Sequence, residues 1–179
     1  MKTRDLILAS LFTALTAVGA FVRIPAGVSY ITLQLLFTLL AGILLGAKLG
    51  ALSQAAYVIL GLVGIPVFTG GGGISYLLTP TCGFLFGLIA MAWVAGRIAG
   101  GRTELRRLVP ACLAGLAALY AVGLPYMYLI LNLYLGRSFS AWDVVQKGML
   151  IFLPGDFLKI AVACALARKL LPVLRKTAR

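Results

Sequence analysis

The chain has no histidine, and only four of its 179 residues are acidic. Without histidine there is no Ser-His-Asp triad and no histidine-held zinc. The carboxylates are Asp5, Glu104, Asp143 and Asp156, too scattered for paired-acid chemistry. Cys82, Cys112 and Cys164 lie apart in apolar surroundings with no C-x-x-C spacing, and read as small buried hydrophobes. No G-x-x-x-x-G-K-[ST] run occurs, so the chain does not hydrolyse ATP by itself. Charged residues make up 11% of the chain, against about a quarter in a soluble domain. That is too few to cover a water-soluble globule, and neither a catalytic residue, a metal ligand nor a cofactor is expected.

What fills the chain instead is apolar: 62% of residues are hydrophobic, and this excess needs the lipid bilayer as a second solvent. The net charge of +12, from 16 Lys and Arg, would suit nucleic acid only if it were spread over a solvated surface. Here most cations cluster at the ends of apolar runs, which is how membrane proteins orient, and no nucleic-acid partner is expected.

Six segments approach the length of about 20 residues that a spanning helix requires: Leu6–Val22, Ile31–Leu45, Leu49–Val67, Ser75–Ile98, Leu108–Leu135 and Met149–Leu171. The first follows Lys2 and Arg4 like a signal peptide, but Arg23-Ile24-Pro25 is a poor cleavage site, so it is expected to be a retained helix. Twelve of the cations, at Lys2 and Arg4, Lys48, Arg97–Arg107, and Arg168–Arg179, fall on one side of such a topology. This bias places both termini in the cytoplasm, which requires an even number of spans. The expected fold is therefore an all-α integral membrane protein, a single six-helix transmembrane domain over residues 1–179.

Asp156 and Lys159 stand inside the last segment, in Leu153-Pro154-Gly155-Asp156-Phe157-Leu158-Lys159. An ionised side chain at the bilayer centre costs at least about 2.5 kcal/mol. Three residues apart on a helix, the two share one face, where they either form a structural ion pair or line a polar pocket. Proline is tolerated in a first turn, so a helix starting near Pro154 would carry Asp156 near its positive end and near the outer face. Arg23 either anchors the first helix at the headgroups or faces inward to bind an anionic carboxylate. The glycine run Gly70–Gly73 is either a flexible turn or a place where backbone N–H groups, at Gly72 and Gly73 among others, approach a ligand. Tyr30, Gln34, Tyr57, Ser75, Tyr76, Thr79 and Asn132 are polar residues able to line the same cavity. On the first helix Ala9, Thr13 and Ala17 recur every four residues, allowing close approach of a helix from within the bundle or from a partner.

Several fragments occur in order: Arg23-Ile24-Pro25, Ile31-Thr32-Leu33-Gln34-Leu35, Leu40-Ala41-Gly42-Ile43-Leu44-Leu45-Gly46, Tyr57 to Phe68, the glycine run, Thr79-Pro80-Thr81-Cys82-Gly83-Phe84, and Pro154-Gly155-Asp156 with Lys159. This succession resembles the BioY family, the biotin-binding S components of energy-coupling-factor (ECF) vitamin transporters, from Arg23 to Lys159. The resemblance implies a six-helix protein of the bacterial or archaeal plasma membrane that binds biotin from outside. It also implies a membrane coupling subunit (EcfT) and two cytoplasmic ATPase subunits as partners. In that family the Asp and Lys of the last helix belong to the vitamin site, matching Asp156 and Lys159. The Ala-x-x-x-Ala patch that meets the coupling subunit corresponds to Ala9, Thr13 and Ala17, where Thr13 departs from the pattern. Cys82 before Gly83 replaces a glycine usual after Pro-Thr. An S component for another vitamin, a stand-alone carrier and an intramembrane enzyme are the alternative readings.

Overall fold

A computed structural model describes residues 3–26 and 29–176. Lys2 and Arg179, counted above among the cations, lie outside the described residues. In chain order the elements are α1 (Thr3–Phe21), β1 (Arg23–Ala26), β2 (Ser29–Thr32), α2 (Gln34–Leu45), α3 (Ala47–Leu62), a 3₁₀ turn (Ile74–Leu78), α4 (Cys82–Ala99) and α5 (Leu105–Leu129). Then come α6 (Ala141–Val145) and α7 (Leu153–Lys176), while π-type turns extend α5 to Tyr134 and α6 to Leu150.

Helices dominate, but the fold is not purely helical. β1 and β2 pair antiparallel, with Arg23 opposite Thr32 and Ile24 opposite Ile31. Ile31 and Thr32, expected to open the second span, belong to this hairpin, and Leu33 N–H donates to Gly19 O (3.1 Å), fastening it to the end of α1. Two prolines cause other departures. Pro66 follows the early end of α3 at Leu62, and the residue before Pro80 is extended (Thr79, φ −89°, ψ 142°), separating the 3₁₀ turn from α4. Asp156 does fall in the first turn of a helix that begins beside Pro154.

Among the described residues, three helices are long and apolar enough to cross a membrane: Thr3–Phe21, Cys82–Ala99 and Leu105–Tyr134. Ala141–Leu150 and Leu153–Leu174, bent by 41°, make a fourth if the pair is one span. The apolar helices α2 and α3 have 12 and 16 residues, about 18 and 24 Å of rise. α4 sits at the centre, against α2, α3 and α5. Small residues make this closeness possible. A Cβ on Gly50 would lie 2.7 Å from Gly42 Cα, and one on Gly96 would run into the Gly42 carbonyl and the Ala47 backbone.

Between α1, α2 and α3 a polar network is buried among apolar residues. Thr38 Oγ1 donates to Gln54 Oε1 (2.9 Å), and Gln54 Nε2 reaches Thr16 Oγ1 (3.2 Å) and Ser53 Oγ (3.1 Å). Away from water such groups must find partners within the protein. The α1 row of small residues borders this network on the side that faces α3. Ala9 and Thr13 are buried, Ala17 is half-buried against the core, and the Thr13 hydroxyl lies 2.9 Å from Ser53 O on α3. The row lets α3 approach, and the outward side of α1 carries Leu6, Ile7, Leu11 and Val18 together with the small residues Ser10 and Ala14.

Candidate functional site

The end of the bundle that carries the hairpin holds a cavity of about 120 Å³. One flank is built from hydroxyls and an amide: Tyr30 and Thr32 of β2, Gln34 of α2, Thr69, Tyr76 and Thr81. The opposite flank carries Tyr120 of α5 with Asp156 and Lys159 of α7. Phe84, Leu85 and Leu88 of α4, with Leu35, Leu119 and Phe152, supply apolar wall.

Asp156 and Lys159 point to the same place because they lie one turn apart on α7. Lys159 Nζ donates to Asp156 Oδ1 at 2.8 Å, with side chains only 10% and 4% exposed. Tyr120 Oη donates to Asp156 Oδ2 at 2.5 Å. Each carboxylate oxygen is thus held from a different helix, which fixes the plane of the group. The pair is far from saturated: a carboxylate offers about four lone-pair sites and an ammonium three N–H groups. Two acceptor sites and two donors remain to meet a guest.

The hydroxyl flank is held as firmly. Gln34 Nε2 donates to Tyr57 Oη (2.8 Å), which donates to Val67 O (3.0 Å), while Gln34 Oε1 accepts from Thr32 (3.1 Å) and Thr69 (3.3 Å). The side-chain amide is therefore locked in one orientation. Phe68, fully buried, packs on Tyr57 and Tyr76 with ring centroids 5.5 and 4.7 Å away, which sets the position of Thr69.

Among the residues expected at the site, the structure brings Asp156, Lys159, Tyr30, Gln34 and Tyr76 together on the cavity wall. Arg23 stands behind it: its guanidinium donates to Thr69 O and lies 5.3 Å from the centre of the Tyr30 ring. It latches the hairpin to the Phe68–Gly71 loop and does not face the cavity. Gly72, Gly73 and Ser75 are also off the wall. Gly73 N–H donates to Gly61 O (2.7 Å), tying the loop to α3, and Gly71 N–H donates to Phe68 O (3.1 Å) within the loop, so these two donors are not turned to a ligand. Thr79 bonds back to Tyr76 O (2.7 Å), and Asn132 bonds to both backbone groups of Phe139. Tyr120 escaped the sequence reading altogether, because a tyrosine inside an apolar helix carries no local mark of its partner. Thr32, Thr69 and Thr81 escaped it because each lies in a strand, loop or cap whose place beside the cavity is set by packing.

An apolar helical bundle with a small cavity lined by a buried ion pair and a flank of hydroxyls is a membrane-embedded solute-binding protein. The chain belongs to the BioY family, whose model matches residues 1–176. It is 42% identical over 177 residues to the probable biotin transporter BioY of Lysinibacillus sphaericus, covering 97% of this chain and 90% of that one. With the biotin transporter BioY of Thermotoga maritima the identity is 39% over 168 residues, 93% of this chain and 95% of the other. The fold is similar to the crystal structure of the S-component for biotin from an ECF-type ABC transporter, with a TM-score of 0.69, 25% identity, and coverage of 95% and 94% of the two chains. BioY proteins are transporter components and not enzymes, and this chain, with its several apolar helices, is a multi-pass membrane protein.

Proposed function

We propose that the chain is the biotin-binding S component of an ECF-type transporter in the cell membrane, taking up biotin in a pocket near the outer face. The unsaturated Asp156–Lys159 pair on the wall of a small cavity carries this reading. A ureido ring presents two N–H donors and one carbonyl acceptor. Asp156 has free lone pairs for the former and Lys159 free N–H groups for the latter, and bonds to charged partners are the stronger kind. Phe84, Leu85, Leu88 and Leu119 suit the thioether ring and the aliphatic tail. The tail carboxylate meets neutral hydroxyls at Tyr76 and Thr81, with the Arg23 charge one layer behind.

The topology in this reading is a single domain of six spans with both termini in the cytoplasm, α2 and α3 being the short ones. Arg4 near the start of α1 donates to Leu174 O near the end of α7 (2.6 Å), which favours termini on one side. Asp156 lies at the other end of α7, about 22 Å from Leu171 by helical rise. Binding needs no chemistry. Energy for release inward comes from a membrane coupling subunit and two cytoplasmic ATPases, since this chain has no nucleotide site of its own.

Calorimetric titration of the purified protein against a panel of vitamins tests the reading. Biotin is expected to bind at micromolar concentration or below. Tighter binding of a different vitamin would reassign the substrate, and no binding of biotin would remove it. Co-purification of the ATPases in mild detergent checks the partners.

A further inference from the structure

At the end of the molecule away from the cavity, α4 turns into α5 through Gly100 and Gly101, both at positive φ (54° and 72°). Glycine adopts this backbone without steric cost, so the chain reverses at once, with Arg102 N–H donating to Ala99 O (2.9 Å). The reversal brings Arg102 opposite Arg106 and Arg107 of the first turn of α5. The three arginines line one cleft, completed by Ile98 and Pro110.

The charges in this cleft are poorly compensated. Arg106 Nε bonds to Glu104 Oε2 (2.8 Å), but Arg102 and Arg107 have no carboxylate partner among the described residues. The first turn of α5 holds no acidic residue, and the Glu104 side chain does not cap the helix. Two guanidiniums of like charge thus line one cleft beside the positive end of a 25-residue helix, an arrangement that a bound anion relieves. Guanidinium groups match phosphate oxygens with paired N–H donors. Beside the cleft runs an apolar strip: Leu105, Val109 and Leu113, four residues apart on α5, are 46%, 39% and 41% exposed. A polar cleft heading such a strip fits an anion that carries hydrocarbon chains better than a free one.

We infer that the cleft of Arg102, Arg106 and Arg107 at the α4–α5 junction binds the phosphate of an anionic phospholipid, whose acyl chains lie along α5. The inference is independent of the ligand of the cavity. Interfacial cations in general attract anionic lipid diffusely. Here three converge from two elements on one cleft, so a bound lipid should be retained as a stoichiometric partner.

The test uses the full-length protein in phosphatidylcholine nanodiscs with and without phosphatidylglycerol, reading retained lipid by native mass spectrometry and stability by thermal unfolding. One phosphatidylglycerol is expected to be held preferentially and to raise the Tm. In the Arg102→Gln/Arg107→Gln variant retention should fall, by about fivefold for each arginine. Arg137→Gln, beyond the far end of α5, should change nothing. Unaltered retention in the double variant overturns the site. Displacement of the lipid by inorganic phosphate or glycerol phosphate at matching concentrations overturns the lipid assignment in favour of a free anion.

Discussion

Replacing Asp156 with Asn keeps the shape of the side chain and removes its charge. Two consequences follow from the geometry. Lys159, with a side chain only 10% exposed, loses its counter-charge, and breaking a buried pair by removing one partner costs about 3–5 kcal/mol of stability. A guest N–H also loses a charged acceptor worth about 1.5–3 kcal/mol, which weakens Kd by about 10- to 150-fold. Asp156→Leu with Lys159→Met separates the two effects. It leaves no buried charge, and apolar replacement of a whole ion pair is often neutral or stabilising. The Tyr120 hydroxyl then remains without its acceptor, at about 1–3 kcal/mol. Calorimetry and thermal unfolding should show the single variant losing both stability and biotin affinity. The double variant should regain much of the Tm and none of the affinity. If the double variant binds biotin as well as the parent does, the pair is structural and the site lies elsewhere.

Two further outcomes are expected. Tyr120→Phe keeps the ring against Phe84 (centroids 6.2 Å apart) but frees Asp156 Oδ2, and loss of one bond to a charged group should weaken biotin binding by about tenfold or more. Unchanged titration curves would show that Tyr120 does not hold the carboxylate in its working position. The sulfurs of Cys112 and Cys164 lie 3.8 Å apart in the core between α5 and α7. In a Cys82→Ala background, diamide should take two electrons and two protons from this pair and leave an internal disulfide, seen by peptide mapping. Two thiols that stay reduced in the folded protein but link after denaturation would refute the helix register.

That register is a useful measure of what could be read from the chain. From Tyr120 to Cys112 is eight residues on α5, and from Asp156 to Cys164 is eight residues on α7. The two contacts therefore define an antiparallel helix pair with one polar and one sulfur rung, about 12 Å apart. Asp156 and Lys159 were legible because charge inside an apolar run stands out and because their spacing puts them on one helical face. Tyr120 and the cysteines had no such contrast, since each sits in a helix as apolar as itself. The β hairpin was missed for another reason: four-residue strands are too short for alternation to register, and the Ile31-Thr32 step continues smoothly into the α2 run. Arg23 was read as a headgroup anchor or a ligand for a carboxylate, and its bond to Thr69 O, 46 residues away, had no mark in the local sequence.

Composition alone fixed the solvent of this protein, because so few charges cannot dress 179 residues in water. Local spacing fixed which face of the last helix carries the acid and the base, because helical geometry relates residues three apart. The order of short fragments fixed the family. Packing decided everything that joins distant positions: the hold of Tyr120 on Asp156 across 36 residues, the latch of Arg23 on Thr69 across 46, and the thiol pair across 52. Such contacts depend on how whole helices seat against one another, and glycine-thin interfaces such as Gly42 against Gly50 set that seating.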